Sequence, residues 1–304
     1  MKVRNITAKE LDLFVSLSRN PNQFKKIVQG LWQKNLSTPQ SCFILEENNK
    51  IIGRVGYWFP SKDSESAMIF GLELPWENKN ILKYGEIILN DSFKYLKNQG
   101  VKVVDSQLDS SEKGKYELSK KLYKIIDMKI IQSKKRFLLN IKEYDFTEEN
   151  RLKYISLKKV GKDFFIDIIK RVTKYTLDME DWLNIKNFGE EKAALHHFKS
   201  LKNIDYSPED WQIGVLKEDV IGLIIPQVLD EDIGTINYIG VVPNKRGNSY
   251  GRDLLDRGIK NLIERDINKI IADIDSKNHP MEAALKNMGF RQEKKLLNYR
   301  ISLL

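Results

Sequence analysis

The chain reads as one succession of elements written twice, and that repeat restricts its fold more than any single motif does. The first half offers a strand near Val3–Thr7, helical periodicity over Ala8–Ser18 and Gln23–Lys34, two β-rich runs joined by ENNK (SCFILEENNKIIGRVGYWF), and a further strand, AMIFGLELP. An amphipathic helix over Tyr84–Gln99, the strand VKVVDSQLD, a helix over Tyr116–Ile126 and a closing β pair through KIIQSKKRFLLNI complete it. The second half repeats the order: RLKYISLKKV, helices near Phe164–Tyr175 and Glu190–Leu201, the hairpin WQIGVLKEDVIGLIIPQV, the strand GTINYIGVVP, a helix, the strand IIADID, a helix and a strand. Ile52-Gly53 answers Ile221-Gly222, Pro75 answers Pro243, and QSKKRFLLNI answers QEKKLLNYRI, at a nearly constant offset of about half the chain. Two related α/β domains are predicted, 1–143 and 144–304, meeting in the polar stretch Glu143–Asn150.

Composition narrows the class. With 304 residues, 41% hydrophobic and 31% charged, the chain can bury two substantial cores, which excludes a disordered or collagen-like polymer. Its apolar runs (IIGRVGYWF, IGLIIPQVL, FFIDII) fall short of a membrane helix, and the segment MKVRNITAKELDLF meets Glu10 and Asp12 before any hydrophobic stretch, unlike a secretory signal. A single cysteine, Cys42, excludes an intramolecular disulfide or a cysteine-cluster zinc site and is expected to be a small core residue. The expected home is soluble, reducing and cytoplasmic. The net charge of +9 invites an anionic partner. Lysines are nevertheless interleaved with acids, as in KEYDFTEENRLKYISLKKVGKD, and no helix-turn-helix, zinc-finger or RNP signature accompanies them, so nucleic acid is not the expected partner. A small polyphosphate ligand accounts for part of the excess equally well.

The chemistry concentrates in YIGVVPNKRGNSYGRDLLDRGIKNLIERDINKIIADIDSKNHPMEAALKNMGF. A β run ending in Val241-Val242-Pro243 feeds Arg246-Gly247-Asn248-Ser249-Tyr250-Gly251, which opens an amphipathic helix carrying Leu254, Leu255, Ile259 and Ile263. The first N–H groups of a helix are unpaired and carry partial positive charge, so a strand–loop–helix junction of this kind cradles anions. Gly247 and Gly251 remove the Cβ atoms that would hold a pyrophosphate off the backbone.

This segment resembles the GNAT superfamily of acyl-CoA-dependent N-acyltransferases. Their pattern is Val-x-Pro-x-x-Arg-Gly leading into an Arg/Gln-x-x-Gly-x-Gly/Ala loop, followed some thirty residues later by Asn-x-x-Ala-x-x-x-Tyr-x-x-x-Gly-Phe. Arg246 and Gly251 occupy the ends of the loop, Ser249 stands where the family prefers Gly, and Asn278, Gly289 and Phe290 fall at the later positions. The match is strong over Tyr238–Phe290, extends to the rest of the second half by element order, and reaches the first half as a degenerate copy. The resemblance implies two GNAT-like domains, each a mixed, mainly antiparallel sheet flanked by helices. It further implies acetyl-CoA as cosubstrate, with the pyrophosphate on the backbone amides from Arg246 to Gly251, including Asn248, Ser249 and Tyr250, and with Arg252 beside them. The strand Ile239, Gly240, Val241 and Val242 would pair with the pantetheine arm, and Asn278 would meet the arm from the other side. In the first half, Asn78, Lys79 and Lys83 stand for Arg246, Gly247 and Gly251, and Glu77 adds negative charge, so no CoA is expected there in this manner.

Amide formation from a thioester needs an oxyanion donor, expected in the backbone around Gly240–Val242, and a proton acceptor. Asp273 and Asp275 share one face of IIADID, opposite Ile274, and are the candidate carboxylates, Asp275 ahead of Asp273. Leu285 stands seven residues after Asn278, where many family members place a tyrosine acid, which leaves Tyr250, Tyr238 and Tyr299 as substitutes. His196 and His197 are adjacent and face different directions, and His279 stands apart, so neither a metal site nor Ser/His chemistry is expected. The expected function is N-acetyl transfer to a primary amine, on a small molecule or a peptide. A non-catalytic acyl-CoA sensor is the alternative, and a tRNA-dependent aminoacyl transferase would have no use for the cradle.

Overall fold

The computed structural model describes residues 1–61, 64–144 and 150–304; most of the boundary stretch Glu143–Asn150 lies outside them. Met1–Ile131 and Leu296–Leu304 together make one compact unit and Gln132–Lys295 makes the other, where the sequence reading divides the chain at 143/144.

The first unit orders its strands β1 (Lys2–Asn5), β2 (Cys42–Glu47), β3 (Lys50–Trp58), β4 (Ser66–Glu73) and β5 (Val103–Asp109), all antiparallel neighbours except the parallel pair β4–β5. β5 then pairs with Leu296–Ser302, the end of the last strand. Helices α1 (Leu11–Val15) and α2 (Pro21–Gln33) enclose Phe14, Val28, Cys42 and Ile44. On the other face α3 (Ile81–Asn98) and α4 (Lys113–Ile125) cover Leu45, Tyr57, Ile88, Leu122 and Tyr299. Cys42 is fully buried, and burial pushes its thiol up to about 12. The alternation of strand residues between two helix layers is what makes nearly continuous apolar strands stable here.

The second unit runs β6 (Lys129–Asn140, from Gln132), β11 (Lys269–Asp275), β10 (Ile233–Val241), β9 (Asp219–Asp230), β8 (Gln212–Leu216) and β7 (Lys153–Ser156), with β10–β11 its parallel pair. One face packs on α9 (Tyr250–Ile263) and α10 (His279–Asn287) through Phe137, Ile236, Leu254, Ile259, Ile274 and Leu285. The other packs on α6 (Lys162–Thr173) and α8 (Glu190–Lys202) through Phe165, Ile169, Phe198, Trp211 and Val242.

Three expectations are corrected. KIIQSKKRFLLNI forms the single long strand β6 rather than a pair. RLKYISLKKV breaks after Ser156 into the one-turn helix α5 (Leu157–Val160). A helix not anticipated, α7 (Met179–Phe188), starts where Asp178 caps it, accepting from the N–H groups of Glu180 and Asp181 at 2.8 and 3.2 Å. The last strand of each sequence half also pairs away from its own half: β6 lies against β11, and the end of β12 (Arg291–Ser302) against β5.

Candidate active site

β10 carries the site because it parts from its neighbour. It pairs with β11 only over Ile233–Thr235, while it stays on β9 to Val241. A register slip between Ile236 and Tyr238 inserts Asn237 as a bulge, which redirects the strand. Val242 donates its N–H to the Ile221 carbonyl at 2.9 Å. Strand alternation then turns the N–H of Gly240 toward β9, and those of Ile239 and Val241 into the gap beside β11. Of the expected Gly240–Val242 oxyanion donors, Val241 alone faces the gap, and Ile239 joins it.

At the end of this edge the chain makes a short 3₁₀ turn, Pro243–Lys245, then the loop and α9. Gly247 has φ +82 and Ser249 φ +60, both left-handed. A Cβ at Gly247 or Gly251 would meet nothing within 4 Å, so the space over the loop is open. No hydrogen bond among the described residues takes the N–H groups of Gly247, Asn248, Ser249, Tyr250 or Gly251. Five unspent amides at a helix N-terminus, with nothing of the protein above the two glycines, fit a pyrophosphate.

Side chains hold this loop rather than fill it. The Arg246 guanidinium donates to the carbonyls of Val241, Tyr175, Val172 and Lys174 at 3.0, 3.2, 2.9 and 2.9 Å, and burial lowers its pKa from the ordinary value. It therefore clamps the carbonyl end of α6 onto β10 and has no free donor fork for a phosphate. Asn248 Nδ2 donates to the Lys245 and Arg246 carbonyls, both at 3.1 Å. Arg151, which the sequence reading passes over, bonds Asp253 at 2.6 Å and the Asn248 carbonyl at 3.1 Å, and lies 4.7 Å from the Tyr250 ring centroid. Tyr250 is thus a stacking partner of Arg151. Arg252 sits in the first turn, its N–H bonded to the Ser249 carbonyl at 3.0 Å. Asn278 caps α10, its Oδ1 accepting from the Met281 N–H at 3.2 Å.

The two candidate carboxylates are spoken for. Asp273 forms a two-point ion pair with Arg136, both contacts at 2.7 Å. Asp275 is buried and its Oδ1 accepts from the Lys277 N–H at 3.0 Å, closing the turn into α10.

A second polar group lies on the α6–α8 face, of which the sequence reading names Tyr238 alone, as a substitute acid. Asp181 of α7 lies with Oδ1 3.0 Å from His197 Nδ1 of α8, and its Oδ2 accepts from the Tyr238 hydroxyl at 3.1 Å. The His197 and Tyr238 ring centroids are 4.2 Å apart. Burial and then Asp181 raise the Tyr238 pKa well above 10. Beside them, burial raises the Asp178 pKa from its ordinary value, while Asp178, Glu180 and Asp273 keep the largely buried Lys134 charged, its pKa raised. The signal in the sequence is Asp178 heading the acidic turn Met179-Glu180-Asp181.

The first unit keeps the parting of strands and lacks the two glycines, with Lys79 and Lys83 at their positions. β4 pairs with β5 only over Ser66–Met68, and beyond it lies a cavity of about 340 Å³ lined by Ile69, Leu72, Trp76, Leu108, Lys115 and Tyr116. Among Lys79–Lys83, which stand for Gly247–Gly251, the amides of Asn80 and Ile81 are spent on Asn78. Among the described residues no group of three or more His, Cys, Asp or Glu is placed to hold a metal, and no helix is long and apolar enough to cross a membrane.

Residues 175–290 match the family model described as Acetyltransferase (GNAT) family. No curated protein matches the chain. Among solved structures, a GCN5-related N-acetyltransferase from Sphaerobacter thermophilus is similar with a TM-score of 0.68 at 11% identity, over 99% of this chain and 95% of that one. A tandem GNAT protein from the clavulanic acid biosynthesis pathway gives 0.62 at 9% identity, over 100% and 98%. A glucosamine N-acetyltransferase region of a fungal multi-domain GH3 β-N-acetylglucosaminidase gives 0.63 at 12% identity, over 98% of this chain and 38% of that one.

Proposed function

Residues 175–290 carry a GNAT acetyltransferase domain on a GNAT fold, and from that premise we propose that the protein moves the acetyl group of acetyl-CoA to a primary amine. The observation that carries this reading is the continuity between the open edge of β10 and the five unspent amides from Gly247 to Gly251. The loop would hold the pyrophosphate, and the edge at Ile239 and Val241 would pair with the amide-bearing arm. That seat brings the thioester carbonyl to a backbone N–H, with Asn278 on the far wall. Fixing the two reactants in one cleft lowers the barrier by as much as ~7 kcal/mol without any acid or base. A thiol of pKa about 8.5 leaves as thiolate near neutral pH, so Leu285, buried in the core where relatives place a tyrosine, does not block the reaction.

The same buried Leu285 favours a second reading, an acyl-CoA sensor that binds without turnover. Both are separated by CoA release from acetyl-CoA over a panel of primary amines, with mass detection of the products. Release with a product heavier by one acetyl group supports transfer. Saturable CoA binding with no release over the panel supports the sensor. Cytoplasmic residence belongs to this reading, and the acceptor is a small molecule or a peptide amine.

A further inference from the structure

We propose that His197 is the base that takes a proton from the acceptor amine, with Asp181 as its positioning residue; this rests on the acetyl-transfer reading above. A carboxylate oxygen 3.0 Å from Nδ1 requires the proton to sit on that nitrogen. Nε2 then carries the lone pair, and it has no partner among the described residues. The ring is one-fifth exposed, while the Asp181 side chain is 8% exposed and has two donors to satisfy it. Carboxylate, imidazole and open nitrogen make the arrangement by which a histidine acts as a general base.

The ring also lies beside the unpaired stretch of β10. His197 stacks against Tyr238, the residue before Ile239, whose N–H opens into the gap. The other candidates are engaged: Asp273 by Arg136, Asp275 by its turn, and the Tyr238 proton by Asp181. His196 is exposed and stacks on Phe188, and His279 is exposed beside Glu282. His197 itself meets Asp181 from the start of α7 and Tyr238 from β10, and the charged groups that reach Tyr238 in turn are Asp181, Asp178 and Arg246. α6 packs on α8 through Phe165, Ile168, Ile169 and Val172, and its charged link to that helix is Lys170 with Glu191.

In the step itself, an alkylammonium gives one proton to Nε2. The freed lone pair forms the C–N bond to the thioester carbonyl carbon, and the C–S bond breaks with its electron pair on sulfur. The extra proton on nitrogen passes to the thiolate, and His197 returns its own to water. The products are the N-acetyl amide, CoASH and one proton.

The test uses the full chain, acetyl-CoA and the amine panel, with His197→Gln, His197→Gly and Asp181→Asn. In His197→Gln, kcat is expected to fall by about a hundredfold or more near neutral pH, with CoA affinity unchanged by calorimetry. Its rate should rise with pH as more amine arrives deprotonated. Added imidazole should restore turnover in His197→Gly, and Asp181→Asn should lower kcat less than His197→Gln does. His197→Gln within about threefold of the unaltered kcat, with an unaltered pH profile, would overturn the base assignment and leave acetyl transfer standing. No CoA release from the unaltered chain over the whole panel would overturn acetyl transfer and the base with it.

Discussion

Gly222 and Gly240 face each other across β9 and β10 so closely that a Cβ on Gly222 would lie 2.1 Å from the Gly240 carbonyl oxygen. A backbone oxygen cannot swing aside as a long side chain can, so Gly222→Ala has to push the strands apart near the end of the open edge of β10. Overpacking of this kind costs about 1–3 kcal/mol. A lower urea midpoint together with weaker CoA binding is expected, and a midpoint equal to that of the unaltered protein would contradict the close approach.

Arg246 separates two roles that the sequence alone leaves joined. Its guanidinium reaches four carbonyls, three of them at the end of α6 and just beyond. A lysine ammonium cannot span them, so Arg246→Lys should lose about 1.5–3 kcal/mol of stability, the range for hydrogen bonds made by a charged group. Thermal unfolding of the free protein checks it. An unchanged Tm with weakened CoA binding would make Arg246 a phosphate ligand instead.

Ser249 occupies the left-handed region at φ +60, with no side-chain cap bond to offset the strain. Ser249→Gly relieves a conformation that costs an L-residue about 1–2 kcal/mol, and part of the gain is returned to the more flexible unfolded chain. A raised Tm with CoA affinity equal or tighter is expected, whereas a lowered Tm would show that Ser249 makes a contact worth more than the strain.

Glu282 gives unit 2 an acid-labile contact. Bonded first to Lys135 and then to Lys286, its carboxyl is held down at about 2, below the ordinary 4.5. A group depressed in the folded state stabilises above its unfolded pKa and loses that contribution as pH falls through the folded one. The stability difference between the unaltered protein and Glu282→Gln should therefore be full above pH 4.5 and close toward pH 2. Chemical denaturation across that window measures it, and a difference independent of pH would contradict the pairing.

Local pattern makes the elements and the loop legible. The run from Val241 to Gly251 announces strand, left-handed turn and helix by residue type alone, and the alternation in IIADID places Asp273 and Asp275 on one face. What those acids touch is not legible. Arg136, which engages Asp273, lies 137 positions away in sequence, and long-range pairing leaves no local periodicity. The destinations of β6 and of the end of β12 are hidden for the same reason, since a strand's pattern says that it pairs and not with which strand. α7 escapes a reading by periodicity because its apolar face is narrow and its one buried residue is the charged Asp181. His197 looks unpromising beside an adjacent histidine, although the partner that matters comes from another helix.

The acetyl-transfer reading turns on one anion seat, at Gly247–Gly251. Titration calorimetry of acetyl-CoA into the unaltered protein and into Gly247→Glu tests it most directly. One site per chain is expected, weakened at least tenfold, or about 1.4 kcal/mol, when a carboxylate projects into the space above the loop. Two equal sites, or an affinity that Gly247→Glu leaves unchanged, would contradict it.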